Sequence, residues 1–236
     1  MTGIFLDLDG TLLNDSNNIS QEDFDFIKNN KDKYKFYFST GKSFSSIFTL
    51  YSSLELDTWL ITSQGTLIIK PSTNEVIKNF IDEKDLKIIE SMKFNNIVFD
   101  MNEFYYQRGF VGIDLSKNKK RINTIKNVLG IYIKTNNKIV TSLDMYKWDI
   151  GNNKTVKILR PNGINKEMAM KEIIKKDKLS KTIFIGNGRA DINSIKQADI
   201  GISMINAHKN VKDSAKIITK FDNNNSGVSK ILNKIL

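Results

Sequence analysis

Two carboxylates stand two residues apart at the end of a short apolar run, Ile4-Phe5-Leu6-Asp7-Leu8-Asp9-Gly10-Thr11. A run of that length reads as a strand buried on both faces of a parallel sheet. Asp7 and Asp9 then fall where the strand stops and its loop begins. Open α/β sheets take their ligands outside the carboxyl ends of their strands. Other polar groups recur at comparable places: Thr40 with Gly41 and Lys42, Lys166 near a helix start, and Asn187 with Asp191 after another apolar run. These residue types suit phosphoryl chemistry. Magnesium takes hard oxygen ligands, often one or two carboxylates completed by phosphate and water. A carboxylate held ionised beside such a cation can attack phosphorus. Phosphate would otherwise repel it, so the cation and a lysine are physical requirements. A threonine hydroxyl and loop amides can hold the non-bridging oxygens.

The elements that must position these groups alternate along the chain. Ser20 and Asp23 have the spacing of a capping box and open a helix with Phe24, Phe26 and Ile27 inward. Residues 34–39 form an aromatic strand ending at Thr40, and the next helix carries Phe44, Ile47, Phe48 and Tyr51. Residues 59–62 make a third strand, ending in Ser63-Gln64-Gly65, and residues 67–69 and 75–77 flank a Pro-Ser-Thr-Asn turn as a hairpin. From about Phe80 the rhythm changes. Helical spacing at Leu86, Ile89 and Met92 precedes strands at 96–101 and near Tyr105, then a helix through Ile122, Ile125 and Leu129. Short strands follow at 131–134, 138–141 and 154–159. That mixture predicts an inserted α+β unit with an antiparallel sheet. After the turn Arg160-Pro161-Asn162-Gly163 the first rhythm returns. Asn165 caps a helix through Met168, Ala169, Ile173 and Ile174, and residues 182–185 form a buried strand. A helix through Ile192, Ile195 and Ala198 leads to a strand at 200–202, and the last helix carries Ile231, Leu232 and Ile235. The expectation is an α/β fold, a doubly wound parallel sheet built from 1–79 and 157–236, with an α+β domain at 80–156.

Composition narrows the function. A chain of 236 residues, 40% apolar and 26% charged, falls in the range of globular proteins with one large core or a core plus a smaller unit. No stretch approaches the roughly 18 apolar residues of a membrane span, and no export signal is legible at the start. Cysteine is absent, which excludes disulfides and thiolate metal sites and fits a reducing compartment. The reading is cytoplasmic, with no membrane partner. The formal charge of +10 raises nucleic acid as a partner. However, the lysines are spread along the chain, and the densest cluster, Lys117, Lys119, Lys120 and Arg121, suits a solvated helix face. Nucleic acid is therefore not expected, whereas a positive field favours a small anionic substrate. Oligomeric state is not legible.

Taken singly, each group has an ordinary explanation: Asp-Gly-Thr as a turn, Thr40 as a cap, Lys166 as a surface lysine. Their order along the chain carries more. Asp7-Leu8-Asp9-Gly10-Thr11-Leu12 resembles the first motif of the haloacid dehalogenase superfamily, Ser39-Thr40-Gly41-Lys42 the second, Gly163 to Lys166 with Ala169 the third, and Gly186 to Asp191 the fourth. Met204-Ile205-Asn206-Ala207 and the later Val211-Lys212 are similar to its Cof-type sugar-phosphatase branch, which carries an α+β cap between the second and third motifs. The resemblance implies a Rossmann-like core, Mg2+ as cofactor, and hydrolysis of a small phosphorylated metabolite, a sugar phosphate first, through an aspartyl-phosphate. It implies Asp7 as nucleophile and Asp9 as acid and base. Thr40, Gly41, Lys42, Lys166 and Asn206 would bind substrate, and Asp7, Asp9, Asn187 and Asp191 the metal. Two departures stand out: Asn187 replaces the family's usual aspartate, and Gln64 a common asparagine. They leave open a catalytically weakened binder of phosphometabolites. A phosphosugar phosphotransferase or mutase is a further alternative.

Overall fold

The structure, a computed structural model, describes residues 1–82, 84–85, 97–101, 111–114, 128–134, 143–149 and 155–236. In chain order the first half contains β1 (Thr2–Leu6), α1 (Gln21–Asn30), β2 (Lys35–Ser39), α2 (Phe44–Ser53), β3 (Leu60–Thr62), β4 (Leu67–Lys70) and β5 (Glu75–Lys78). Then come β6 (Ile97–Met101), β7 (Val111–Asp114), β8 (Val128–Lys134), β9 (Asp144–Asp149) and β10 (Thr155–Arg160). The chain closes with α3 (Lys166–Lys176), β11 (Lys181–Gly186), α4 (Ile192–Gln197), β12 (Ile200–Ser203), α5 (Lys209–Lys212), β13 (Ile217–Ile218) and α6 (Gly227–Ile235).

These strands make two sheets. The first has eight strands in the order β13-β12-β11-β1-β2-β3-β4-β5. Pairing is parallel from β13 to β3, and the expected hairpin β4–β5 adds two antiparallel strands at one edge. Ile4, Phe5 and Leu6 have no exposure at all, because helices cover both faces. Ile4, Leu6, Phe36 and Phe38 pack with Ile27 of α1, Ile47 of α2 and Leu232 of α6. On the other face Phe5, Tyr37 and Phe184 pack with Met170 and Ile173 of α3 and Ile195 of α4. Truncating any of the central β1 side chains to alanine costs about 2–5 kcal/mol at such sites. This is the doubly wound α/β core expected. Because β1 lies between β2 and β11, the strand order reverses beside it, which opens a crevice at its carboxyl end.

The second sheet has five antiparallel strands in the order β7-β6-β8-β10-β9. Its last member in sequence, β10, straddles residue 157 and stays paired with β9 as far as Arg160. Leu129, expected on a helix, is in β8, and β9 has no counterpart among the expected strands. The first follows from the run Val128-Leu129-Gly130-Ile131, which carries no period to separate helix from strand. The expected features at Leu86, Ile89, Met92, Tyr105, Ile122, Ile125 and 138–141 lie outside the described residues.

Local chemistry sets the helix ends. Ser20 caps α1 by accepting from the Asp23 amide at 3.1 Å, and its hydroxyl donates to the Asp23 carboxylate at 2.9 Å. Asn165 caps α3 by accepting from the Met168 amide at 3.0 Å. Phe48 and Met168 lie on α2 and α3 as expected but are exposed, since these helices each bury a narrower stripe than their apolar residues mark out.

Candidate active site

The carboxyl end of β1 meets three other element ends. The Asp7 amide donates to the Ile185 carbonyl of β11 at 3.0 Å, which holds the residue in sheet register just as the strand ends. Gly10 then turns the chain with a φ of +71°, a conformation that favours glycine. A side chain there would collide with the amide of Asn187. The turn brings Thr11 back so that its hydroxyl lies 3.1 Å from Asn187 Oδ1 and 3.5 Å from Asp7 Oδ2. Asn206, expected on the substrate, donates to the Gly10 carbonyl at 2.8 Å and so braces this turn.

Lys166 is the centre of the network. The Asn165 cap starts α3 so that Lys166, its first residue, points inward. Its Nζ donates to Asp7 Oδ1 and to Asp191 Oδ1, each at 2.7 Å. All three side chains are buried. Burial alone would lower the lysine's pKa, but the charges of Asp191 and Asp7 outweigh it and raise it, so Lys166 is a fixed cation. Asp7 is pushed the other way. Desolvation first and the Asp191 charge second raise its carboxyl to about 7, against the pull of Lys166. Two carboxylates sharing one lysine thus leave Asp7 short of positive charge.

Asp191, expected among the metal ligands, has both oxygens committed to the protein: Oδ1 to Lys166, and Oδ2 to the amides of Asn187 and Gly188 at 3.2 and 2.9 Å. It shapes the loop after β11 and aims Lys166. Asp9 pairs with Lys42 at 2.8 Å, its carboxylate half exposed.

Thr40 and Gly41 follow β2. Thr40 is fully buried, and its hydroxyl accepts from the Lys42 amide at 3.1 Å. The sequence marks Gln64 near this loop only as a departure from a common asparagine, and the turn it belongs to is not legible there. Ser63, Gln64 and Gly65 have φ values of +48°, +61° and +97° in succession. Such left-handed backbone costs about 1–3 kcal/mol at each non-glycine residue and persists where the surroundings fix it. Here the Ser63 amide donates to the Lys42 carbonyl at 2.9 Å and the Gln64 amide to the Thr40 carbonyl at 3.1 Å. A side chain at Gly65 would strike the Asn165 carbonyl. This turn therefore locks the Thr40 loop to the start of α3. The legible signals are Gln64 in place of a common asparagine and Gly65 after two polar residues at a strand end. Thr11 was likewise visible in the first motif but was given no task.

The residues present fit magnesium, with few charges. Asp7 Oδ2 is the less engaged oxygen of that carboxylate, and Asn187 Oδ1 meets the same Thr11 hydroxyl. Two hard oxygens of this kind, with a backbone carbonyl such as that of Asp9, would leave positions for phosphate and water. No group of three or more acidic, histidine or cysteine side chains that could hold a metal ion occurs among the described residues. No helix among them is long and apolar enough to cross a membrane.

The chain matches the family model described as haloacid dehalogenase-like hydrolase over residues 4–232. A curated relative, the 5-amino-6-(5-phospho-D-ribitylamino)uracil phosphatase YcsE of Bacillus subtilis strain 168, is 28% identical over 239 residues, covering 97% of this chain and 93% of the relative. Among solved structures, BT1666 of Bacteroides thetaiotaomicron, a phosphatase of the same superfamily, has a TM-score of 0.82 at 20% identity and covers 99% of this chain and 94% of its own. The subclass IIB sugar phosphatase BT4131 has a TM-score of 0.80 at 19% identity and covers 100% and 99%. The structural likenesses speak for the fold alone. With the family model spanning nearly the whole chain, this protein belongs to the haloacid dehalogenase-like hydrolases.

Proposed function

We propose that the protein is a magnesium-dependent phosphatase that hydrolyses a small phosphorylated metabolite, with a sugar phosphate as the first choice. The observation that carries this reading is Lys166 held at 2.7 Å from both Asp7 and Asp191 in the crevice beside β1. Asp7 is the nucleophile: Lys166 holds its Oδ1, and the loop after β1 leaves Oδ2 only a long contact with Thr11. Attack on phosphorus expels the substrate alcohol and leaves an aspartyl-phosphate, which water then hydrolyses. Asp9 protonates the departing alkoxide and takes the proton from the attacking water, roles for which it must release Lys42. Lys166, Thr40 and the Gly41 amide hold the non-bridging oxygens, and Lys42 adds a cation at the rim. Bound magnesium supplies charge neutralisation between the nucleophile and the phosphate. Asp7 and Asn187 would hold it with the Asp9 carbonyl, and Asp191 acts by positioning Lys166.

Residues 80–156 are proposed as a cap that selects the substrate, its sheet continued by β10 directly into the turn that delivers Lys166. The substrate class draws on the relatives: one is named for a phosphorylated ribityl compound and another as a sugar phosphatase. The purified protein is expected to hydrolyse 4-nitrophenyl phosphate with magnesium, and a panel of phosphorylated metabolites ranks its substrates. Turnover equal to wild type in Asp7→Asn would refute the assignment.

A further inference from the structure

The carboxylates around Asp7 are nearly all spent on the protein. Asp191 gives one oxygen to Lys166 and the other to two loop amides. Asp9 is paired with Lys42 at 2.8 Å. Asp7 shares Lys166 with Asp191, which leaves its Oδ2 as the one carboxylate oxygen facing the Thr11 hydroxyl. The other oxygen at that hydroxyl belongs to Asn187 and carries no formal charge. Three carboxylates, of Asp7, Asp9 and Asp191, stand against the two ammonium groups of Lys42 and Lys166, a net charge of minus one. A divalent cation arriving alone turns that into plus one. A phosphate dianion arriving alone turns it into minus three, beside a buried carboxylate. Only the two together return the site to minus one.

From this count we infer that magnesium and phosphate bind this protein cooperatively, each supplying the charge the other's binding lacks, and that the absence of a negative charge at position 187 sets the strength of that coupling. The inference rests on the phosphatase reading and adds to it a binding rule for this chain. Magnesium gives up its water reluctantly, and a single shared carboxylate offers it little in exchange. A phosphate oxygen provides the missing anionic ligand. Coupling between two ligands is reciprocal, so magnesium must tighten phosphate by the same factor that phosphate tightens magnesium. Placing a second carboxylate at position 187 would satisfy magnesium without phosphate, and the dependence should shrink.

The test is calorimetric titration of the full chain with magnesium chloride, with and without saturating inorganic phosphate, and the reverse titration of phosphate with and without magnesium. Wild type is expected to show at least about a tenfold tightening in each direction, the same within error, as linkage demands. In Asn187→Asp, magnesium alone is expected to bind about fivefold or more tighter, and the coupling to drop below about threefold. Asn187→Ala, neutral like wild type, should keep the coupling while weakening magnesium, and it supplies a second reading should the Asn187→Asp variant misfold. A wild-type factor below about twofold overturns the inference, as does a factor that Asn187→Asp leaves unchanged. If wild type binds neither magnesium nor phosphate, the phosphatase reading falls and takes this one with it. If both bind independently, only the coupling falls.

Discussion

Replacing Asp7 by asparagine should abolish activity and at the same time stabilise the metal-free fold. The Asp7 carboxyl sits at about 7 instead of 3.8, because burial and the Asp191 charge outweigh Lys166. A group whose folded value is raised contributes stability that is present below its unfolded value and lost as pH rises through the folded one. Here the window runs from near 4 to about 7, with a plateau above. At about 1.36 kcal/mol for each tenfold in proton affinity, the ionised form costs up to about 4 kcal/mol at the plateau. Relaxation of the lysine and residual water, described by an effective dielectric near 20, should leave about half of that, or ~2 kcal/mol. Asparagine resembles the protonated acid in shape and charge, and it leaves Lys166 paired with Asp191.

For a chain of this size ~2 kcal/mol corresponds to a rise in Tm of about 4–8 °C. Thermal unfolding in EDTA at several pH values between 4 and 8.5 reads it directly. The gap between variant and wild type should be small at pH 4, widen up to pH 7 and stay constant beyond. Magnesium with phosphate should narrow it, because ligands that bind only the folded wild type stabilise that protein. Hydrolysis by the variant should fall by at least about a thousandfold, as for other nucleophile deletions. A variant that melts below wild type at pH 8 in EDTA, or a gap that ignores pH, would refute the electrostatic account.

Other perturbations probe the same framework. Lys166→Met leaves Asp7 and Asp191 buried without their cation and should cost about 3–5 kcal/mol. Chemical denaturation measures the loss, and adding Asp7→Asn should restore part of it. Gly10→Ala forces a left-handed alanine against Asn187. It should cost about 1–3 kcal/mol and weaken magnesium binding in calorimetry; an unchanged affinity would remove Gly10 from the site's support. Asp23→Ala deprives the Ser229 amide of its acceptor at 2.7 Å and should lower stability by about 1–3 kcal/mol. Asp23→Asn keeps an acceptor and should lose less. Burial raises the Asp23 carboxyl, so the wild type's advantage over Asp23→Asn should shrink as pH rises through its folded value, which a pH series of melts would reveal.

Much of the core was legible because its local signals agree with its tertiary role. The apolar opening strand, the Ser20 and Asn165 caps and the strand ends at Asp7, Thr40 and Asn187 each follow from a short stretch of sequence. What escaped depended on distant partners. Asp23 reads as a capping residue, yet it is fully buried because the Ser229 amide of α6 reaches it from the far end of the chain. Asp191 reads as a ligand from its place in the fourth motif, and its bonds to Lys166 and two loop amides are not visible there. Asn206 reads as a substrate contact, and its hydrogen bond to the Gly10 carbonyl, 196 residues away, is not visible in the motif. No pattern in Ser63-Gln64-Gly65 announces three left-handed residues in a row, since their conformation is imposed by the Thr40 loop and α3 pressing from two sides. Leu129, expected on a helix, lies in β8 for a different reason: a short apolar run suits either element, and the partner strands decide.

The same feature that costs the fold stability equips it for chemistry. One lysine for two buried carboxylates would ordinarily be relieved by a small movement that lets water in. Here Asp7 is held by β1, with β11 and β2 on either side and helices over both faces, while Asp191 is fixed by two amides of its own loop. Neither can retreat far. Because the backbone limits relaxation, part of the shortage of positive charge at Asp7 persists until something from outside supplies it. A side chain left free to move would have lost that attraction for a cation before any arrived.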